Sequence, residues 1–242
     1  MKKTFEFIIN QVYQAVPNID IYSAVGNNDS YIGNYIISPN SIFFQDTART
    51  WVTLIHDQNN RDSLLKDFTK AGYYSVIAPH LNNLRIIVLN TVLFSTGAKG
   101  KHIASAAEEQ FKWLHQQLSL TKKLHQHALL VFHIPIGIDV IATLNNNLNI
   151  TPYWKLQYTL EFKNELKQYS YYIMAILPAH IHMDAFQLIS LKQLSDIPVS
   201  FTPSISPIYG NNPGFKIFSF DAIHFRLENF ETYFYPERLI DF

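Results

Sequence analysis

The sequence predicts an α/β protein built as a layered sheet with helices on its faces. Three observations carry that reading. Amphipathic helical patterns alternate with short apolar runs through residue 178, which is the signature of layered α/β architecture. Several of those runs, such as Leu84–Asn90 and His127–Phe132, are nearly all apolar, as strands covered on both faces must be. Hydrophobic residues at 48% and aromatics at 14% supply material for a sizeable core.

The elements follow in order. Phe5, Ile8, Ile9, Val12 and Val16 fall at helical spacing, and Pro17 ends that helix before the alternating run Ile19–Val25, which reads as a strand. Gly26-Asn27-Asn28-Asp29 is a turn cluster, and residues 30–40 read as irregular loop. Two helical pieces are expected within 41–70, around Trp51 and Leu64. Strands follow at Tyr73–Ala78 and Leu84–Asn90, then a helix over Ala104–Leu118 and a strand over His127–Phe132. A further helix at 153–168 precedes the strand Tyr172–Leu177. Phe186–Phe220 reads as short antiparallel strands and turns, and residues 225–242 as an aromatic-rich end with a short helix. Repeats, low-complexity tracts and linkers are absent, so residues 1–242 are expected to form one domain.

Composition narrows the function. Nineteen basic and nineteen acidic side chains cancel, which removes the electrostatic reason to expect a nucleic acid polymer as partner. Charged residues at 16%, against about 25% in ordinary soluble domains, exclude disorder as the main state. The absence of Cys excludes disulfides, thiolate zinc sites and thiol catalysis, so any metal must be held by His, Asn, Asp or Glu. No run of about 18 apolar residues occurs, so no membrane span is expected. The start, Met1–Gln11, is broken by Glu6, Asn10 and Gln11 and does not read as a signal peptide.

Ten His stand out in such a chain. Three polar clusters each follow an expected strand, where open α/β sheets place their ligands: Gly26-Asn27-Asn28-Asp29, His133-Ile134-Pro135-Ile136-Gly137 and His180-Ile181-His182-Met183-Asp184. In extended backbone, positions two apart project to one side, so His180, His182 and Asp184 are able to face one point. Neutral imidazoles bind zinc, manganese or iron, and a carboxamide oxygen adds a harder donor. The other seven His fall on expected helix surfaces or loops, His125 and His127 as a solvated pair. Trp51, Trp113 and Trp154 read as core anchors, and Arg85, the one charge in its strand, is expected to meet a carboxylate.

These clusters, in this order, resemble the Gly-Asn-His-Asp/Glu, Gly-His-x-Pro and Gly-His-x-His motifs of calcineurin-like metallophosphoesterases. Ala71–Ser75, Leu89-Asn90-Thr91, Gln110–Leu114 and, most specifically, Pro203–Phe215 are similar to one branch, the acid sphingomyelinase-like phosphodiesterases. The resemblance covers nearly the whole chain. It implies a layered β-sandwich flanked by helices, and hydrolysis of a small-molecule or lipid phosphodiester such as sphingomyelin or a nucleotide. It assigns Asn27, His133 and His180 to one metal, His182 to a second, and Asp29 to bracing the loop and the neighbouring imidazole. Tyr209 and Asn212 are expected either to line the substrate side or to serve a turn whose backbone needs Asn, Pro and Gly, and family members are usually secreted or periplasmic.

Departures from the family pattern sharpen the expectation. Neither its Asp-x-His motif nor its Gly-Asp motif occurs in the 242 residues, so the domain is expected to lack the first two strands and the carboxylate that bridges both metals. Asn27, His133, His180 and His182 are all neutral donors, and two dications without a carboxylate would be poorly compensated. At most one zinc, manganese or iron ion is therefore expected, with Asp29, Asp139 or Asp184 available to offset its charge. Asn28 stands where the family has its general-acid His, and losing such an acid costs about 10²–10⁴ in rate. Phe132 and Ala179 replace glycines that precede the family's metal-binding His. The functional expectation is a metal-dependent phosphodiesterase of sphingomyelinase-like type with impaired activity. The alternative is a catalytically silent relative that binds a lipid, nucleotide or protein.

Overall fold

The computed structural model describes residues 2–191, 196–221 and 223–236. Helix α1 (Lys2–Ala15) ends before Pro17, as the missing proline N–H dictates. Helices α2 (Ile42–Trp51) and α3 (Gln58–Ala71) follow; Asp57 caps α3 by accepting from Asn60 N, and Gly72 ends it in the left-handed conformation at φ 83°. Strands β1 (Tyr74–Ile77) and β2 (Leu84–Leu89) lead to the long helix α4 (Ile103–Lys123) and strand β3 (His127–Phe132). A short helix α5 (Val140–Asn145), helix α6 (Leu156–Tyr169) and strand β4 (Ile173–Pro178) come next. Strands β5 (Ala185–Ile189), β6 (Ile197–Phe201), β7 (Gly214–Asp221) and β8 (Arg226–Phe234) complete the described chain.

Six strands form one mixed sheet in the order β1-β2-β3-β4-β6-β5. Its centre, β2-β3-β4-β6, is parallel, and the antiparallel β1 and β5 close the two edges. Strand periodicity splits the side chains between two cores. Leu130 and Phe132 of β3 join the main core beneath the helices, whereas Leu129 joins a smaller cluster with Ala78, Leu84, Met174 and Ala175. Phe220 of the β7–β8 hairpin packs on that smaller cluster, so the hairpin covers the second face. Trp51, Trp113 and Trp154 are buried in the main core, as their spacing implied.

Several expectations need correction. The second layer of the expected sandwich is, among the described residues, only the two-stranded hairpin. Ile19–Val25 is extended but is not a strand: Ile21 N donates to Leu54 O and Tyr74 Oη to Ser23 O, and no ladder forms. The aromatic-rich end is strand β8 rather than a helix over 226–234, while residues 237–242 of that expectation lie outside the described residues. Among the described residues Arg85 meets no carboxylate. Its guanidinium reaches Gln126 Oε1 at 3.0 Å and Ser75 and Gln117 at 3.4 Å, and burial pulls its pKa down. His127 is not part of a solvated pair but stacks on Phe225, ring centroids 4.4 Å apart.

The hairpin is held to the sheet by a buried cation. The Lys216 side chain is 0% exposed, with Nζ 2.6 Å from Asp184 Oδ1. It also donates to Ser200 Oγ at 3.0 Å and lies 4.2 Å above the Phe230 ring. Asp184 is half-exposed, which discounts the ion pair, yet removing the cation strands a carboxylate and a buried hydroxyl. Lys216→Met is expected to cost about 1–2 kcal/mol and to speed amide exchange through β7 and β8. Unchanged exchange in the hairpin would show that the packing of Phe220 alone holds it.

Candidate metal centre

Three loops at one end of the parallel strands build the site. The first follows the extended segment at Val25. Its turn closes through Asp29 N to Gly26 O at 3.1 Å, and Asp29 Oδ2 accepts from Gly26 N at 2.8 Å. Burial raises the Asp29 carboxyl pKa, and the Gly26 hydrogen bond partly offsets that rise. A Cβ on Gly26 would sit 3.1 Å from the His133 ring, so glycine is what lets this turn approach the second loop.

The second loop carries His133 out of β3 and is pinned on three sides. Ile134 N donates to Thr91 Oγ1 at 2.8 Å, Trp154 Nε1 donates to Ile134 O at 3.1 Å, and Ala179 N donates to His133 O at 3.0 Å. Phe132, in place of a glycine, turns into the helical core against Trp154 and Phe162, away from the site. The third loop leaves β4 with both His180 (φ 73°) and His182 (φ 61°) left-handed. Extended-backbone alternation is therefore not what brings these two together. Each such residue costs about 1–3 kcal/mol, and strain of this kind concentrates at functional loops.

The side chains converge. Asn27 Oδ1 lies 2.9 Å from His133 Nε2, which lies 3.2 Å from His180 Nδ1. Burial pulls the His133 pKa down to about 3, helped by the neighbouring His180 and His182. His180 is also lowered by burial, with Asp139 opposing. Both rings are therefore neutral at pH 7, and a proton on His133 Nε2 would face two acceptors, Asn27 Oδ1 and His180 Nδ1. His182 lines the same cavity of about 120 Å³, its Nδ1 buried with no hydrogen-bond partner, while Tyr209 covers its ring at 4.8 Å. Asn28 lies exposed at the cavity wall.

This donor set fits one cation in place of the shared proton. Tetrahedral ligands at about 2.0–2.1 Å from zinc stand roughly 3.3 Å apart, close to the separations between these atoms. Among the described residues no three His, Asp or Glu side chains stand close enough to share an ion, so a metal here would need the Asn27 carboxamide as its third donor. The carboxylates are otherwise engaged. Asp139 caps α5 through Ala142 N, and Asp184 bonds Lys216 and Thr232. Asp184 and Asn212 line a neighbouring cavity of about 340 Å³ that meets the first at His182.

Sequence reasoning passed over Asn34, Tyr35 and Tyr153. Asn34 Oδ1 accepts from Asn27 Nδ2 at 2.8 Å, the Tyr35 hydroxyl is 3.5 Å from His180 Nε2, and the Tyr153 ring meets the His180 ring edge-on at 5.5 Å. The first two lie in irregular loop, where no periodic pattern points to a site.

The buried imidazole makes stability depend on pH in metal-free protein. His133 has its pKa lowered by folding, so between about 6.5 and about 3 the unfolded chain binds the proton more readily. Stability is intact above that window and falls as pH drops through it, by up to about 1.4 kcal/mol per unit. Urea midpoints in EDTA at pH 7.5 and pH 4.5 are expected to differ, and by less in His133→Gln. An equal pH dependence in that variant would contradict the assignment.

A mixed α/β sheet thus carries a polar donor cluster at its strand ends, and known proteins similar to the chain extend over nearly all of it. No protein-family model matches the sequence. It is 30% identical over 235 residues to sphingomyelinase phosphodiesterase D of Dictyostelium discoideum, covering 94% of this chain and 50% of that protein. It is 25% identical over 229 residues to cyclic GMP-AMP phosphodiesterase SMPDL3A of Homo sapiens, covering 90% and 47%. It is likewise 25% identical over 240 residues to acid sphingomyelinase-like phosphodiesterase 3b of Mus musculus, covering 95% and 50%. The chain is similar to acid sphingomyelinase-like phosphodiesterases over nearly all of its own length, and it spans about half the length of the curated relatives it matches.

Proposed function

We propose that residues 1–242 act as a single metallophosphoesterase-like domain that binds one divalent transition metal, zinc, manganese or iron, and hydrolyses a phosphodiester weakly. The observation that carries this reading is the meeting of Asn27 Oδ1, His133 Nε2 and His180 Nδ1, at 2.9 and 3.2 Å along the row. Those three side chains would hold the ion, with His182 the remaining donor on the same cavity. When bound, the ion supplies Lewis-acid polarisation of a phosphoryl oxygen. The residues do the rest. Asp29 keeps the Asn27 turn closed, burial keeps the His133 and His180 imidazoles uncharged at pH 7, and Tyr209 shields His182.

Asn28 limits the chemistry: its amide hydrogen-bonds a leaving oxygen but delivers no proton, which removes about 10²–10⁴ in rate. The names of the relatives, sphingomyelinase and cyclic GMP-AMP phosphodiesterase, support a lipid or nucleotide phosphodiester as the substrate class. A secreted or periplasmic location accompanies this reading. Asn28 equally favours a second reading, a silent relative that binds such a ligand without cleaving it.

Elemental analysis after zinc loading and turnover of bis(p-nitrophenyl) phosphate test both. The expected result is at most one tightly bound metal per chain, slow turnover, and loss of both in His180→Ala. Two metals per chain with rapid turnover would overturn the one-ion reading. Ligand binding with no turnover at any metal concentration would leave the silent one.

A further inference from the structure

The donor cluster is a linear chain of polar groups, and adjacent residues hold both of its ends. Asn34 accepts from Asn27 Nδ2 at 2.8 Å at one end, and the Tyr35 hydroxyl lies 3.5 Å from His180 Nε2 at the other. Between them run Asn27 Oδ1, His133 Nε2 and His180 Nδ1. We propose that Asn34-Tyr35 is the positioning element of this site, Asn34 setting which end of the Asn27 carboxamide faces the cavity and Tyr35 setting the tautomer of His180.

The reason is an ambiguity in both groups. A carboxamide turned by 180° keeps its shape but exchanges a lone-pair atom for an N–H, and only the oxygen end is a metal donor. With Asn34 Oδ1 as acceptor, Asn27 Nδ2 points away and Oδ1 points to His133. Turning Asn27 over would set two oxygens against each other. An imidazole has the same ambiguity: His180 offers a lone pair at Nδ1 only when its proton sits on Nε2, and in that form the Tyr35 hydroxyl, which accepts as well as donates, is the group placed to receive it.

The dipeptide is itself fixed by backbone. Tyr35 N donates to Asn27 O at 2.7 Å, and Lys99 N donates to Tyr35 O at 2.8 Å. Tyr35 is left-handed at φ 60°, and a Cβ on Gly97 would stand 3.0 Å from its ring, so glycine leaves the room the ring needs. One strained residue thus ties the loop that follows Asn27 to the loop that carries His180.

The consequences for metal affinity rest on the one-ion reading above; the orientation itself does not, and the test separates them. Asn34→Ala removes the acceptor, Asn34→Asp keeps an acceptor that cannot turn over, and Tyr35→Phe removes the hydroxyl. In metal-free protein, nitrogen-15 NMR of the Asn27 side-chain amide is expected to show protected Nδ2 protons in wild type and in Asn34→Asp, with protection lost in Asn34→Ala. The His180 ring nitrogens are expected to shift toward mixed tautomers in Tyr35→Phe alone. Zinc affinity, read by competition with a chromophoric chelator, is expected to fall about 10–100-fold in Asn34→Ala and to be kept or improved in Asn34→Asp. Wild-type protein that binds no zinc but shows the protected amide would sink the metal reading and keep the positioning role. An Asn27 amide unchanged in Asn34→Ala, with the melting temperature also unchanged, would overturn the proposal.

Discussion

Replacing Gly72 with alanine is expected to lower the thermal midpoint by about 10 °C, from a loss of about 3 kcal/mol. Two terms add. At φ 83° an L side chain pays roughly 1–2 kcal/mol for the left-handed backbone. The new Cβ would also stand 2.6 Å from Phe44 Cε1, 3.1 Å from Val25 Cγ2 and 3.2 Å from Asn90 Nδ2, an overpacking worth about 1–3 kcal/mol. Those neighbours matter beyond stability. Val25 leads directly into the Gly26–Asp29 turn, and Asn90 is fully engaged, with Nδ2 to Ala71 O at 2.7 Å, N to Gln110 Oε1 at 2.7 Å and O from Gln110 Nε2 at 3.1 Å. A double-mutant cycle with Phe44→Leu separates the terms: the clash is recovered through coupling, and the backbone strain is not. A midpoint within 2–3 °C of wild type would mean that α3 ends by a different turn.

Trp154 gives the second large effect. Its indole is fully buried among Phe94, Phe132 and Phe162, with centroids at 5.0, 5.8 and 5.2 Å, and its Nε1 donates to Ile134 O. Trp154→Ala is expected to cost about 3–5 kcal/mol in urea unfolding, because the cavity it leaves cannot collapse between strand and helix. Trp154→Phe keeps most of the packing and strands one carbonyl, for about 1–3 kcal/mol. The milder variant is the more informative one for the site, since Ile134 adjoins His133. Its zinc affinity should drop while the fold survives. An affinity equal to wild type would show that Thr91 and Ala179 suffice to hold that loop.

The parallel centre of the sheet was legible because burial on both faces leaves almost no polar residue in Leu84–Leu89 or His127–Phe132. The polar clusters after β3 and β4 then marked strand ends, and His133 does meet both Asn27 and His180. Other parts were hidden for physical reasons. Ile19–Val25 alternates like a strand, but only a partner makes a strand, and its neighbour β1 pairs on its other side with β2. In β8, Leu227, Phe230 and Tyr233 fall three apart, a helical spacing, and it is pairing with β7 across a register shift at Ser219/Phe220 that holds the segment extended. The carboxylate expected for Arg85 is absent because Gln126 and Gln117 provide neutral acceptors. Asn34 and Tyr35 act through hydrogen bonds from an irregular loop, and periodicity carries no information about those.

The separations along the chain within the donor cluster bear on how the molecule folds. The Asn27–His133 pair spans 106 positions, His133–His180 spans 47 and Tyr35–His180 spans 145. Contacts this distant form only after the intervening loops have been closed, and loop closure slows folding. The α4 helix and the β2–β3 pairing need no such closure with residue 27. The cluster is therefore expected among the last features to appear, its assembly marking the docking of the loops around Asn27 and Tyr35 on the sheet. A zinc-capture signal followed during refolding would report that final docking event, lagging the recovery of secondary structure.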